Sequence, residues 1–292
     1  MIKKFIKTNL EKHPNLYAGR LIKKNLFRSF TANSRILPSF IIIGEAKCGT
    51  TSLYNYMIQH PNIKSALNKE INYFNWYYKN GINWYKGHFP TTFEKKIQGR
   101  NKQLFLTGEA TPLYLFNSLV PKRIFDLLPK IKIIICLRNP VNRAYSHYND
   151  LGVRLGNEKR SFDEAVKSEI ESIKEMKNLV EDSKYGFDDR LYQYVSRGIY
   201  LEHLKIWMKT FPKNQFYFVK TEELNKTPEI VLDNIFEFLS LPKFNKIDIK
   251  KRYNVSKYKP MNETTRDFLN EFFKIHNEHL EEYLKIKFDW KV

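Results

Sequence analysis

The sequence predicts an α/β fold in which a central, mostly parallel sheet is flanked by helices in three layers. Four short apolar runs have the length of buried strands, and helical patterns separate them. A Gly-containing turn joins the first run to a helix, which is typical of open α/β sheets. The chain has 292 residues, of which 42% are hydrophobic, so it can bury a sizeable core.

The strands and helices are assigned in chain order. The first strand covers residues 39–43 and ends at Gly44, and a helix over 50–59 follows it. The remaining predicted strands are 103–107, 131–137 and 215–219, and the remaining helices are 121–128, 141–151, 200–210 and 228–239. Regular alternation of the two element types favours parallel pairing with short connections.

Two segments differ from this pattern. Residues 1–37 form a basic N-terminal appendage with nine Lys or Arg against one acidic residue, and the main domain is predicted over 38–292. The appendage fits a basic amphipathic helix that contacts an anionic membrane, or a helix packed on the domain. Residues 156–190 carry ten acidic and seven basic residues, which predicts a solvated, partly helical charged insertion, either a lid or plain surface.

Charge and cysteine content indicate the kind of binding partner and the cellular environment that suit this sequence. The net charge of +19 indicates an anionic partner, unless it reflects the Lys-rich composition alone. Cys48 and Cys136 adjoin apolar runs, which suits reduced thiols. We find no apolar run long enough for a transmembrane helix and no secretory signal, so we expect a cytoplasmic protein.

The turn after the first strand is built to hold a phosphate group. It reads Gly44-Glu45-Ala46-Lys47-Cys48-Gly49-Thr50-Thr51-Ser52. Backbone N–H groups in such a turn and at the following helix N-terminus form an anion cradle, and Thr50, Thr51 and Ser52 add hydroxyl donors. The turn is P-loop-like, but Thr50 occupies the position where a Walker A loop has lysine. A nucleotide-dependent kinase is therefore the alternative enzyme class.

A second candidate motif follows the third strand. Arg138-Asn139-Pro140 leads into a helix that carries Ser146. Arg138 lies at the carboxyl end of a strand, where ligands of open α/β sheets bind, and a guanidinium binds phosphate through two donors.

Together, these motifs resemble the PAPS-dependent sulfotransferases (PAPS is 3′-phosphoadenosine 5′-phosphosulfate). The branch that they resemble contains the heparan sulfate N- and 3-O-sulfotransferases and their bacterial relatives. Similar segments run over residues 37–290. They are the turn 46–53, the strand and helix 133–146, and the segments 69–74, 81–90, 108–114, 197–200, 204–212, 260–261 and 272–290.

The resemblance implies roles for individual residues. It makes Glu70 the catalytic base and Lys47 the residue that neutralises the leaving oxygen, while Arg138 and Ser146 hold the 3′-phosphate. The cofactor-binding set that it implies is Lys47, Cys48, Gly49, Thr50, Thr51, Ser52, Arg138, Ser146, Tyr253 and Lys257. Glu70, Glu109, Arg197 and Tyr200 are its acceptor-site residues, the products include 3′,5′-ADP, and no metal is required.

The sequence departs from this branch at two places. Ala110 stands where the heparan enzymes have a lysine, and residues 253–259 lack their Lys-Gly-Arg loop and its disulfide. Lys257 is the proposed substitute for the charges of that loop. We therefore expect an acceptor other than heparan itself, such as another glycan or a small hydroxylated molecule.

A nucleic-acid-binding module is the non-enzyme alternative. The positive charge would suit it, but the basic residues are dispersed and match no recognition motif, so we expect no nucleic-acid partner. His276 and His279 flank Glu278 on a helical pattern, and we assign them to a solvated helix face rather than to a metal site.

Overall fold

In a computed structural model of the chain, the described residues are 25–98, 104–156, 158–175, 193–251, 253 and 258–290. They form a parallel sheet with the strand order β2-β3-β1-β4-β5. The strands are β1 (Phe40–Gly44), β2 (Ile63–Ser65), β3 (Leu106–Ala110), β4 (Lys132–Leu137) and β5 (Phe216–Lys220). The predicted three-layer α/β class is confirmed.

Helices flank this sheet, and the five helices assigned from the sequence lie close to their predicted positions. They are α1 (Thr50–Met57), α2 (Gly81–Lys86), α3 (Thr92–Gln98), α4 (Val120–Leu127), α5 (Pro140–His147), α6 (Phe162–Glu175), α7 (Tyr200–Thr210), α8 (Thr221–Lys226), α9 (Pro228–Phe238) and α10 (Glu263–Leu284). The helix predicted over 141–151 ends at His147 and continues as a π-helix, Tyr148–Val153. Its second part therefore has a different side-chain register from that of an α-helix.

The apolar strands divide their side chains between two cores. Ile41, Ile43 and Ile133 pack on one face of the sheet, whereas Ile42 and Ile134 pack on the other. Both faces are sealed because consecutive strand residues point in opposite directions. The central strands β1 and β4 therefore read as nearly continuous apolar runs.

The order of the strands determines where loops can form a site. The chain leaves β1 toward β3 and β2 and later crosses back to β4 on the other side of β1. Ligands of open α/β sheets bind at the carboxyl ends of strands where the order reverses in this way. The loops after β1 and β4 meet at that point.

Helix α6 fits the expectation that residues 156–190 are partly helical, but one of its faces is buried. The charge density predicts a solvated stretch, but Phe162, Val166 and Ile170 are buried in a third core cluster. The carboxylate of Glu169 on the same helix accepts hydrogen bonds from the backbone N–H groups of Val195 and Ser196. The inner face of α6 thus belongs to the domain, while residues 176–190 lie outside the described residues.

The described part of the N-terminal appendage packs on the domain. The Arg28 guanidinium donates to the carbonyl oxygens of Gly87 and Phe89, and Arg35 donates to Phe89 as well. Most of the predicted basic helix, residues 1–24, lies outside the described residues. Within the described ranges, no helix has both the length and the apolar character needed to cross a membrane.

Candidate functional site

The loop after β1 owes its shape to residues with positive φ angles. Gly44 has φ 151°, and a Cβ at this position would collide with the carbonyl oxygen of Cys136 on β4. Lys47 and Gly49 have φ angles of 74° and 79°, so the chain turns sharply before α1 begins at Thr50. Backbone N–H groups in such a turn and in the first turn of a helix form an anion-binding concavity.

The hydroxyl residues of this loop differ in exposure. Thr50 is buried, whereas Thr51 and Ser52 are half-buried. Cys48 is fully buried, and burial raises the pKa of its thiol to about 12. The thiol therefore stays neutral, and Cys48 can contribute only backbone groups to an anion.

Lys47 is held by a carboxylate of the π-helix. Its Nζ lies 2.9 Å from Oδ2 of Asp150, and Oδ1 of Asp150 lies 2.7 Å from Nε of Arg154. These two contacts lower the pKa of Asp150 against the opposing effect of its partial burial. The carboxylate is thus charged and anchors the lysine beside the loop.

The second predicted motif contacts the first. Nη1 of Arg138, directly after β4, donates to the carbonyl oxygen of Lys47 at 3.1 Å. The side chain of Asn139 accepts from the N–H groups of Val141 and Asn142 and thereby caps α5. Ser146 is buried in the last turn of that helix. The structure therefore brings together the two loops that the sequence predicts to bind phosphate.

Glu70 lies next to this cradle. Lys69 Nζ is 3.3 Å from Oε1 of Glu70 and donates to Oγ1 of Thr51 at 3.1 Å. The Glu70 side chain is 33% exposed. Glu70 is thus linked to the anion cradle through Lys69 and is still open to solvent. A carboxylate in this position can accept a proton from a bound molecule.

Tyr253 and Lys257 belong to the segment that the sequence assigns to cofactor closure. Tyr253 packs edge-on against Tyr56 of α1 with ring centroids 6.1 Å apart, and Lys251 Nζ lies 5.1 Å from the centre of the Tyr253 ring. Lys257 lies outside the described residues, so its proposed role stays a prediction.

Glu109 is enclosed by hydroxyl groups. It receives hydrogen bonds from Tyr85 at 2.6 Å, from Thr111 at 2.8 Å and from Tyr114 at 3.3 Å. Burial raises the pKa of Glu109 to about 7, although these three hydrogen bonds lower it. The negative charge of Glu70 also raises this pKa.

Arg197 and Tyr200 are buried as well. Arg197 Nη1 lies 2.8 Å from Oε1 of Glu45, and the Tyr200 hydroxyl donates to the carbonyl oxygen of Arg138 at 2.9 Å. All three residues predicted to contact the acceptor, Glu109, Arg197 and Tyr200, thus have protein partners, and their acceptor contacts stay predictions. Each side chain is buried in the domain beneath the loops of the site.

Three residues of this region were missed by sequence reasoning. Lys69 and Asp150 reach the first loop from distant segments, and nothing in their local patterns indicates this. Thr221 Oγ1 lies 2.8 Å from the carbonyl oxygens of both Cys48 and Leu137, which ties the two loops to α8. In the sequence, the position of Thr221 directly after the strand β5 was the one indication that it lies near the site.

Fold and site together define an α/β protein with a phosphate-type anion cradle beside a carboxylate. The family model for the sulfotransferase domain matches residues 37–290. The chain belongs to the sulfotransferase family, which confirms the resemblance drawn from the motifs.

Relatives extend this finding. The membrane-associated sulfotransferase Kil1 of Dictyostelium discoideum is 30% identical, over 87% of this chain and 67% of its own length. Mouse heparan sulfate glucosamine 3-O-sulfotransferase 6 is 30% identical over 71% of this chain, and human bifunctional heparan sulfate N-deacetylase/N-sulfotransferase 3 is 28% identical over 85%. The chain spans 53% and 30% of the lengths of these two relatives.

A solved structure agrees with the fold. The sulfotransferase from Alicyclobacillus acidocaldarius is 29% identical and superposes with a TM-score of 0.66. The match covers 86% of this chain and 97% of the bacterial one.

Proposed function

We propose that this protein transfers a sulfuryl group from PAPS to a hydroxyl or amine of an acceptor. The carrying observation is the contact between the two loops, in which Arg138 Nη1 donates to the Lys47 carbonyl oxygen at 3.1 Å. This contact joins two candidate phosphate-binding groups, the loop after β1 and the Arg138 guanidinium after β4. The two strands are adjacent, so both groups lie at the carboxyl edge of the sheet. PAPS carries phosphate at the 3′ and the 5′ position of its ribose, so it fits a site with two phosphate-binding groups.

In this proposal the loop N–H groups, Thr50, Thr51 and Ser52 hold the 5′-phosphate. Arg138 and Ser146 hold the 3′-phosphate, which distinguishes PAPS from ordinary nucleotides. Lys47 exchanges Asp150 for the oxygen that bridges phosphorus and sulfur, and it neutralises the charge that develops there.

The reaction is an in-line displacement at sulfur. The acceptor oxygen or nitrogen forms its bond to sulfur while the bond between sulfur and the 5′-phosphate oxygen breaks. That oxygen keeps the electron pair, 3′,5′-ADP leaves, and Glu70 takes the acceptor proton. Because the transferring group resembles a phosphoryl group, positioning and charge stabilisation supply most of the rate enhancement. No step of this proposal requires a metal.

A carbohydrate or glycoconjugate is the proposed acceptor class. The names of two relatives specify heparan sulfate, which supports a glycan. Ala110 replaces the lysine of the heparan enzymes and is buried on β3, so the recognition of the sugar differs. We also propose a cytoplasmic location and a peripheral membrane contact through residues 1–37, and cell fractionation with and without those residues tests both.

Calorimetry with three nucleotides tests the donor. We expect tight binding of 3′,5′-ADP, weak binding of 5′-AMP, and loss of this preference in Arg138→Ala. Arg123→Ala is the matched control, because Arg123 also donates through Nη1 to one backbone carbonyl oxygen, that of Phe74. Equal binding of 5′-AMP and 3′,5′-ADP, or a preference for ATP with magnesium, would overturn the proposal in favour of a kinase.

A further inference from the structure

Lys69 places a second ammonium group at the anion cradle. Its Nζ lies 3.1 Å from Thr51 Oγ1 and 3.3 Å from Glu70 Oε1, and its side chain is 14% exposed. An ammonium group has three donors, and these contacts use two of them. The charge of Lys69 thus lies between the phosphate loop and the proposed base.

Other observations support this location. The charge of Lys69 lowers the pKa of the Cys136 thiol, which burial raises more strongly. Cys136 is paired in register with Gly44, the last residue before the phosphate loop. Lys69 Nζ also contacts Thr51 in the first turn of α1, so Lys69 lies on the same edge of the sheet as the phosphate loop.

Lysine is missing from two nearby positions where its charge would serve the reaction. Thr50 occupies the place of the Walker lysine, and Ala110 is buried on β3. Lys47 is engaged by Asp150 on one side of the loop. Lys69 is positioned to provide the missing charge from another segment of the chain.

In-line transfer places the sulfur between the 5′-phosphate and the acceptor atom. The 5′-phosphate belongs beside Thr51 and the acceptor proton beside Glu70, and Lys69 contacts both residues. We propose that Lys69 binds a non-bridging oxygen of the sulfuryl group and is a catalytic residue. This inference rests on the proposed function and adds to it the residue that recognises the transferring group. In this proposal Lys69 stabilises the charge of the transferring group, and Glu70 alone takes the acceptor proton.

Comparison of PAPS with 3′,5′-ADP isolates this contact, because the second ligand lacks the sulfuryl group. We expect Lys69→Met to weaken PAPS binding at least tenfold and to change 3′,5′-ADP binding less than twofold, measured by calorimetry without acceptor. Lys69→Arg should keep most of the PAPS affinity because it keeps the charge. Lys64→Met is the matched control, since Lys64 is exposed on β2, and both ligands should bind it as they bind the wild type.

The possible outcomes separate the two proposals. If Lys69→Met weakens both ligands equally, Lys69 contacts only the 5′-phosphate and this inference is wrong. If neither ligand is weakened, Lys69 serves only to pair with Glu70, which also overturns it. If the wild type shows no preference for 3′,5′-ADP over 5′-AMP, the proposed function fails first, independently of Lys69. Melting curves of all variants confirm that a lost affinity does not come from unfolding.

Discussion

Two neighbouring regions contain the same kinds of charged side chains in opposite environments. The open edge consists of Lys47, Lys69, Glu70 and Arg138, which are partly exposed. The sealed layer behind it consists of Glu45, Glu109, Arg143 and Arg197, which are each at most 3% exposed.

The difference lies in what each group contacts. Arg197 pairs with Glu45, and Arg143 donates to the carbonyl oxygen of Tyr194 deep in the domain. Groups of the open edge instead contact one another and the phosphate loop, within reach of solvent. A buried charge depends on its protein partner, whereas a partly exposed one can exchange that partner for a ligand at little cost. We therefore expect substitutions in the open edge to change function and those in the sealed layer to change stability.

The largest effect is expected from Glu70→Gln. Loss of a general base should lower kcat by about 10²–10⁴-fold, while 3′,5′-ADP binding and stability stay near wild type. The measurement is release of 3′,5′-ADP from PAPS in the presence of any acceptor that the wild type uses. Glu271→Gln, exposed on α10, is the control. A Glu70→Gln rate within threefold of the wild type would remove Glu70 as the base.

Arg197→Ala tests the sealed layer. It leaves the fully buried Glu45 without its cation, so we expect about 3–5 kcal/mol lower free energy of unfolding in urea. Lys205→Ala breaks an exposed pair with Glu202 at the same 2.8 Å distance and should cost less than about 1 kcal/mol. Equal losses in the two variants would show that burial does not separate the regions.

Glu109 predicts a pH dependence of stability. Its pKa is raised from 4.5 to about 7 in the folded state, so the neutral carboxyl is favoured there. The Glu109 carboxyl therefore contributes its full stabilisation of the fold below pH 4.5. This stabilisation is lost as the pH rises through 7, because the folded protein must then either bury a charged carboxylate or take up a proton. The wild type should lose about 3 kcal/mol relative to Glu109→Gln between pH 4.5 and 8. Urea denaturation at both pH values measures this, and an unchanged difference would contradict it.

The smallest effect concerns the anchor of Lys47. Asp150→Asn removes a negative charge next to the cradle, so 3′,5′-ADP should bind about threefold more tightly at low salt. Asp126→Asn, which breaks an exposed pair with Lys122, should leave the affinity unchanged. Weaker binding in Asp150→Asn would mean that Asp150 positions Lys47 for the ligand instead of competing with it.

Sequence patterns were reliable where the determining interactions are local. The apolar runs located β1, β4 and β5 to within a residue or two, since strands covered on both faces are usually continuous apolar runs. The run predicted over 103–107 corresponds to β3, which lies slightly later at Leu106–Ala110. Strand β2 was missed because Ile63 is its one apolar residue.

The sequence by itself determined the α/β class and the family, and it located the loops after β1 and β4, because these patterns lie in contiguous stretches of residues. Only the tertiary structure decided which charged groups face solvent and which are sealed. Lys47 and Asp150 are 103 residues apart, and Glu45 and Arg197 are 152 apart, yet both pairs are in contact. Burial and pairing of a charge depend on elements that meet only after folding, so local pattern could not separate Glu70 from Glu109.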